Sequence, residues 1–145
     1  MRPEVKLITT QEELQKAFEI RKVVFVDEQN VPMEEELDQY EPESTHFIAY
    51  IDGVPCGACR WRYTNEGVKL ERFAVLKEYR GKKVGAALVR ATLDNIKSDS
   101  NYKGQKLYLN SQIDAIFLYE KFGFVEEGEM FLECDIKHMK MVKND

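Results

Sequence analysis

The chain has 145 residues, enough for one ordinary domain whose core needs neither disulfides nor metal to hold it together. Its formal net charge of −5 and pI of about 5.2 argue against general affinity for nucleic acid, which requires a basic face. No apolar run approaches the roughly 18 residues of a membrane span, Met1–Thr10 lacks an apolar signal-peptide core, and three cysteines are an odd count for a secreted disulfide framework, so a reduced, cytoplasmic protein is expected.

In chain order, Val5–Ile8 is a short β-branched and apolar run that predicts a first strand. Thr10-Gln-Glu-Glu13 has the form of a capping box and starts a helix. Leu14, Ala17, Phe18, Arg21 and Phe25 lie beyond it at helical spacing, a stripe that Arg21 interrupts. Val31-Pro32 breaks the pattern, and Met33–Tyr40 predicts a short acidic helix. His46–Asp52 and Val54–Tyr63, joined at Asp52-Gly53, predict a β-hairpin; Asn65-Glu66-Gly67 predicts a second turn into a strand over Val68–Val75. The basic, glycine-containing Tyr79–Gly85 then leads into a helix with Val84, Ala87, Leu88 and Ala91 on one face. Lys106–Leu109 predicts a strand, and Ala115, Leu118, Tyr119 and Phe122 mark one face of a helix that Gly123 stops. Phe124 onward returns to strand, with a further strand toward Met141. Two strand–helix–strand passes in this order predict a mixed α/β sheet with helices on its faces, as a single domain over residues 1–145.

Arg80-Gly-Lys-Lys-Val-Gly85 comes after a strand and opens a helix. Free N–H groups at such a helix start attract anions, glycines let the backbone close on a phosphate, and Lys77, Arg80, Lys82 and Lys83 add positive charge. The same Gly-x-x-x-Gly spacing also serves as a helix–strand packing device, and the residues alone leave both readings open. No Walker pattern is present. Cys56-Gly-Ala-Cys59 lies inside a predicted strand, where residues three apart face opposite sides, so the pair is expected to pack separately. A Cys₃His zinc site completed by Cys134 and His138 is disfavoured on the same ground, and no metal is expected.

Strand Leu70-Glu-Arg-Phe-Ala-Val75 followed by Tyr79-Arg-Gly-Lys-Lys-Val-Gly-Ala-Ala-Leu88 resembles the acyl-coenzyme A signature of the GNAT N-acetyltransferases. Leu109-Asn-Ser-Gln112 and Phe117-Leu-Tyr-Glu-Lys-Phe-Gly-Phe124 resemble that superfamily's second signature. The tail from Gly128-Glu-Met-Phe-Leu-Glu133 to His138-Met-Lys-Met141 fits as well, and Val24-Phe-Val-Asp-Glu-Gln-Asn-Val-Pro32 is similar to the branch typified by ElaA and YjcF. The resemblance implies a mixed, mostly antiparallel sheet of about six to seven strands flanked by about four helices. It also implies acetyl-coenzyme A as acyl donor and a small-molecule or peptide amine as acceptor. Lys83 stands where the family pattern has its first glycine, and can present its N–H if the backbone there is helical.

By the same resemblance, backbone groups of Phe73, Ala74 and Val75 pair with the pantetheine arm, and one N–H there polarises the thioester carbonyl. Arg80, Gly81, Lys82, Lys83, Val84, Gly85 and Ala86 hold the pyrophosphate, and Asn110 contacts the pantetheine. Tyr119 matches the general acid for the departing thiolate. A phenol with a pKa near 10 is protonated at neutral pH and can donate to a thiolate of pKa about 8.5; a purely packing role on the apolar helix face is the alternative. A carboxylate acting through water helps the amine lose its proton, with Glu71 the first candidate and Glu28 the second. Glu28 and His138 are candidates to face the acceptor. No Lys or Arg occurs between Val23 and Cys59, a stretch rich in Asp and Glu. It reads either as an acidic rim that draws in a cationic amine or as a solvated acidic loop. A module that senses acyl-coenzyme A without turning it over is the competing function; retention of Tyr119 and Glu71 favours an enzyme. The sequence leaves a homodimer open.

Overall fold

Strand β1 (Glu4–Leu7) and helix α1 (Gln11–Arg21) open the chain in a computed structural model that describes residues 2–144. The capping box forms as the sequence predicts. Thr10 Oγ1 accepts from the Glu13 N–H at 3.2 Å, and Glu13 Oε1 accepts from the Thr10 N–H at 3.3 Å, satisfying amides that a helix start leaves orphaned. The helix does not end at Arg21. It widens into a π-helical segment, Lys22–Glu28, which is succeeded by a one-turn helix α2 (Met33–Glu36). The buried positions are Ala17, Ile20, Arg21 and Val24, while Leu14, Phe18 and Phe25 are only half-buried, so the stripe is rotated from the predicted one.

The remaining elements come in the expected order: β2 (Thr45–Ile51), β3 (Val54–Tyr63), β4 (Val68–Val75), α3 (Val84–Ser98), β5 (Leu107–Gln112), α4 (Ile116–Glu120), β6 (Val125–Glu133) and β7 (Ile136–Lys143). Asp52 and Gly53 close the β2–β3 hairpin with φ of +52° and +78°, the left-handed pair that a two-residue turn needs. The seven strands form one sheet in the order β1-β2-β3-β4-β5-β7-β6, antiparallel except between β4 and β5. Four helices flank it, as the resemblance implies.

Each face of the sheet buries a different helix layer. Under α3, Leu88, Val89, Leu93 and Ile96 join Trp61, Leu70, Leu107 and Met141 in the larger cluster. On the other face Ala17, Ile20 and Val24 meet Ile48, Ala58 and Ala74. A Cβ added at Gly57 would lie 2.8 Å from Val84 Cγ1 and 3.2 Å from the Ala74 carbonyl oxygen, so this glycine lets the start of α3 sit directly on the sheet.

The sheet departs from regular pairing around β4. The parallel pair β4–β5 is joined only at Val68↔Leu107 and Lys69↔Tyr108, and beyond that the strands splay. On its other side β4 shifts register against β3 between Ala58 and Arg60, where Arg72 takes φ +62°. A second shift, at Ala49–Tyr50, upsets alternation on β3 near Cys56. Cys56 and Cys59 therefore share the cluster under α3 rather than facing opposite sides. Both are free thiols. Cys59 Sγ lies 3.3 Å from Thr92 Oγ1, and burial pushes its pKa up to about 12. Cys134 is exposed. Among the described residues no cluster of three or more His, Cys, Asp or Glu side chains could hold a metal, and no helix is long and apolar enough to cross a membrane.

Candidate active site

Splaying of β4 from β5 opens a cleft of about 1130 Å³. Glu71, Phe73 and Val75 reach it from β4, Asn110 from β5 and Tyr119 from α4. Arg80, Glu28 and His138 line it from the loop after β4, the π-helical segment and β7. Eight of the residues singled out in the sequence thus converge. Ala74 does not: its side chain is buried toward α1 on the opposite face. Gly81, Lys82, Lys83, Gly85 and Ala86 lie outside the cleft lining, and Val84 is core.

Tyr119 is held by two edge-to-face contacts, with Phe73 at 5.7 Å and Phe124 at 6.2 Å between centroids. Burial, reinforced by the nearby Cys59, pushes its phenol well above the ordinary tyrosine range. It therefore stays protonated. Among the described residues no group hydrogen-bonds its hydroxyl. The ring accordingly does belong to the core, while the hydroxyl remains uncommitted at the cleft.

Glu71 arrives at the site already engaged. Its Oε2 accepts from Arg60 Nε at 2.8 Å and Arg62 Nε at 2.7 Å, and Lys69 Nζ lies 3.3 Å from Oε1. Burial pushes its pKa up, but Arg60, Lys69 and Arg62 outweigh burial and hold the carboxyl below its ordinary value. Arg60, fully buried, also forks onto Asp38 at 2.9 and 2.8 Å and reaches Glu41 at 2.8 Å. Arg21 joins Glu36 at 2.6 Å and Glu41 at 2.9 and 2.7 Å. Arg72 adds a contact to Asp38 at 3.2 Å. Burial alone would raise the Asp38 carboxyl; pairing with Arg60 overrides it and lowers its pKa to about 2. The acidic stretch divides: Glu28, Glu34 and Glu35 are exposed and line the cleft, whereas Glu36, Asp38 and Glu41 are drawn inward. Glu36, Asp38 and Glu41 are neutralised by arginines from outside it. Arg62 and Arg72 line the cleft, with Arg21 and Arg60 buried behind it, and sequence reasoning gave none of the four a role in the site. The alternation Arg60-x-Arg62, two cations on one face of a central strand, was the available signal.

The loop before α3 is tighter than expected. Lys83 takes φ +69° and ψ +18°, a left-handed conformation rather than a helical one, which is the physical reason a glycine suits this position. Gly81 takes φ +80°, and a Cβ there would meet nothing within 4 Å. At Gly85 a Cβ would lie 3.2 Å from Leu118 Cδ2, so this glycine makes room for α4 against α3. Lys82 and Lys83 are exposed, and no side chain caps the first amides of α3. Open space at Gly81, uncapped amides and two free-standing lysines suit a phosphate-bearing ligand.

Arg80 does not point freely at that loop. Its Nη1 and Nη2 pair with Glu28 at 2.6 and 2.7 Å, and its Nε donates to the Val75 carbonyl at 2.9 Å. Next to Glu28, Gln29 Oε1 accepts from Gln112 Nε2 at 2.8 Å. His138 donates through Nδ1 to the Ile136 carbonyl at 2.7 Å and stacks on Phe131, centroids 5.8 Å apart.

Known proteins share both the sequence pattern and the architecture. A family described as an acetyltransferase (GNAT) domain matches residues 9–144. The chain is 42% identical over 135 residues to a protein of Bacillus subtilis strain 168 named "Uncharacterized N-acetyltransferase YjcF", covering 92% of this chain and 94% of that one. The crystal structure of Escherichia coli ElaA superposes with a TM-score of 0.85 at 24% identity, covering 98% of this chain and 99% of the other. A GNAT family acetyltransferase from Elizabethkingia anophelis, solved with acetyl-CoA bound, shares the fold with a TM-score of 0.74 at 15% identity, covering 99% and 98% of the two chains.

Proposed function

Because the chain belongs to the GNAT acetyltransferase family, in its ElaA/YjcF-like branch, we propose that it moves an acetyl group from acetyl-coenzyme A to a primary amine by direct attack in a ternary complex. The observation that carries this reading is the cleft between β4 and β5, with the uncommitted hydroxyl of Tyr119 at its wall. A fold neighbour solved with acetyl-CoA bound supports the choice of donor.

Bound acetyl-coenzyme A supplies the reactive thioester. Backbone groups of Phe73, Ala74 and Val75, with Asn110 opposite, take the pantetheine arm where β4 and β5 leave each other unpaired. Gly81, Lys82, Lys83 and the first amides of α3, through Val84, Gly85 and Ala86, receive the diphosphate. Tyr119 donates its proton to the sulfur as charge develops there. Glu71 acts as a fixed negative charge rather than a strong base. Its carboxylate is held ionised and hydrogen-bonded by Arg60, Arg62 and Lys69, so it orders this wall of the cleft, and the amine's proton leaves through water. Glu28 and His138 face the acceptor side of the same cleft. We assign the protein to the cytoplasm and to one domain.

The test is purified protein with acetyl-coenzyme A and a panel of amines spanning amino sugars, polyamines and peptides, read as thiol release. Turnover with at least one amine is expected. Binding of acetyl-coenzyme A without turnover of any amine in a broad panel would favour the sensing module.

A further inference from the structure

Val75 ends β4 and Gln112 ends β5, so these two residues stand at the wide end of the splayed pair. Both are tied to the same piece of chain. Glu28 holds Arg80, which in turn donates to the Val75 carbonyl; Gln29 accepts from Gln112. The end of the π-helical segment therefore forms a strap across the mouth of the cleft, with Arg80 as its buckle on the β4 side. Arg80 occupies two things at once that a donor needs: a carbonyl on the unpaired edge of β4, and the guanidinium nearest the phosphate loop. The pair is exposed, at 41% for Arg80 and 36% for Glu28, and its geometry is the bidentate fork that a guanidinium makes equally well with carboxylate or phosphate.

We propose that Arg80 exchanges Glu28 for the diphosphate of the donor, so that Glu28 sets donor affinity by competing for the same guanidinium. The inference rests on the donor assignment made above. The strap is closed by Glu28–Arg80 on one side and Gln29–Gln112 on the other. When the donor binds, Arg80 turns to the phosphates, the Val75 carbonyl is released, and the Glu28 carboxylate is left open to the cleft. Glu28 is a positioning residue in this scheme, acting on the donor through Arg80.

Calorimetric titration of coenzyme A into four full-length proteins tests it: wild type, Glu28→Gln, Arg80→Gln and the double variant. Gln at position 28 keeps the shape and removes the charge. Because an exposed ion pair is weak, Glu28→Gln is expected to tighten coenzyme A about two- to fivefold. Arg80→Gln should weaken it, and in the Arg80→Gln background the Glu28→Gln change should have no further effect. Weaker or unchanged binding in Glu28→Gln, or the same effect in both backgrounds, overturns the exchange while leaving the donor assignment standing. No coenzyme A binding by any of the four proteins overturns both.

Discussion

Tyr119 and Lys83 are the two residues whose roles are most sharply separable by substitution. Removing the Tyr119 hydroxyl costs the core nothing it uses, since no hydrogen bond is lost and both ring contacts survive in phenylalanine. Tyr119→Phe should therefore retain wild-type unfolding behaviour while kcat falls on the order of 10²–10⁴-fold. Wild-type kcat under conditions where chemistry is rate-limiting would return the residue to a packing role. Because burial raises the phenol's pKa, the alkaline limb of kcat should not show loss of this proton in the ordinary tyrosine range near pH 10. Lys83 presents the opposite case, a side chain in a backbone conformation that penalises it. Lys83→Gly removes that strain but frees the unfolded chain, and the balance should stabilise the fold by about 0.5–1 kcal/mol in urea unfolding. The family pattern made the glycine's absence legible in the sequence. The left-handed φ was not legible, because the pattern records residue identity and not the conformation that selects it.

At the scale of elements, what could be read was what local chemistry decides. Thr10 and Glu13 lie three positions apart and close on each other; Asp52 and Gly53 are the turn. What could not be read was decided at a distance. Arg21 interrupts an apolar stripe because Glu36, 15 positions on, and Glu41, 20 positions on, close around it; Arg60 finds Asp38 22 positions back. The register shifts beside β3 move the side chains around them by a step, which is why the predicted faces of the cysteine pair were wrong; Phe25, within the π-helical widening, still packs half-buried against the Ala17, Ile20 and Val24 cluster. The ionic network that these pairs form pins α2 and the adjoining loop to β3 and β4, and it should fail in acid. Asp38, Glu41 and Glu71 all have folded pKa values below their unfolded ones, so the stability they contribute is complete above about pH 4.5 and is lost as pH falls toward about 2, where Asp38 protonates. Urea midpoints measured from pH 6 to pH 2 should decline through that window. Arg60→Gln leaves three carboxylates facing one another without their shared cation and should cost about 3–5 kcal/mol at pH 7, with a flatter acid decline.

The whole molecule is two pieces of sheet, β1–β4 and β5–β7, that meet along a short seam. Only two residue pairs join β4 to β5, and the layers carried by α3 and α4 cover them from one side. A donor lodged in that seam should stabilise both pieces together. At a hundred times its Kd, acetyl-coenzyme A should add about 2.7 kcal/mol, a rise in Tm of roughly 5–10 °C for a chain of this length. A melting curve unmoved by millimolar acetyl-coenzyme A would count against the donor. The seam also has a kinetic consequence. Strands that forgo each other leave main-chain amides facing water, and water is where deuterium comes from. Amides of β5 beyond Tyr108 that do not pair with β7, and those of β4 that do not pair with β3, should take up deuterium soon after dilution into heavy water, ahead of their neighbours in β2 and β7. A bound pantetheine arm should slow the same amides selectively. The line of exchange that appears and disappears along β4 and β5 would then trace, residue by residue, the place where this sheet has kept a strand's width open for something that is not protein.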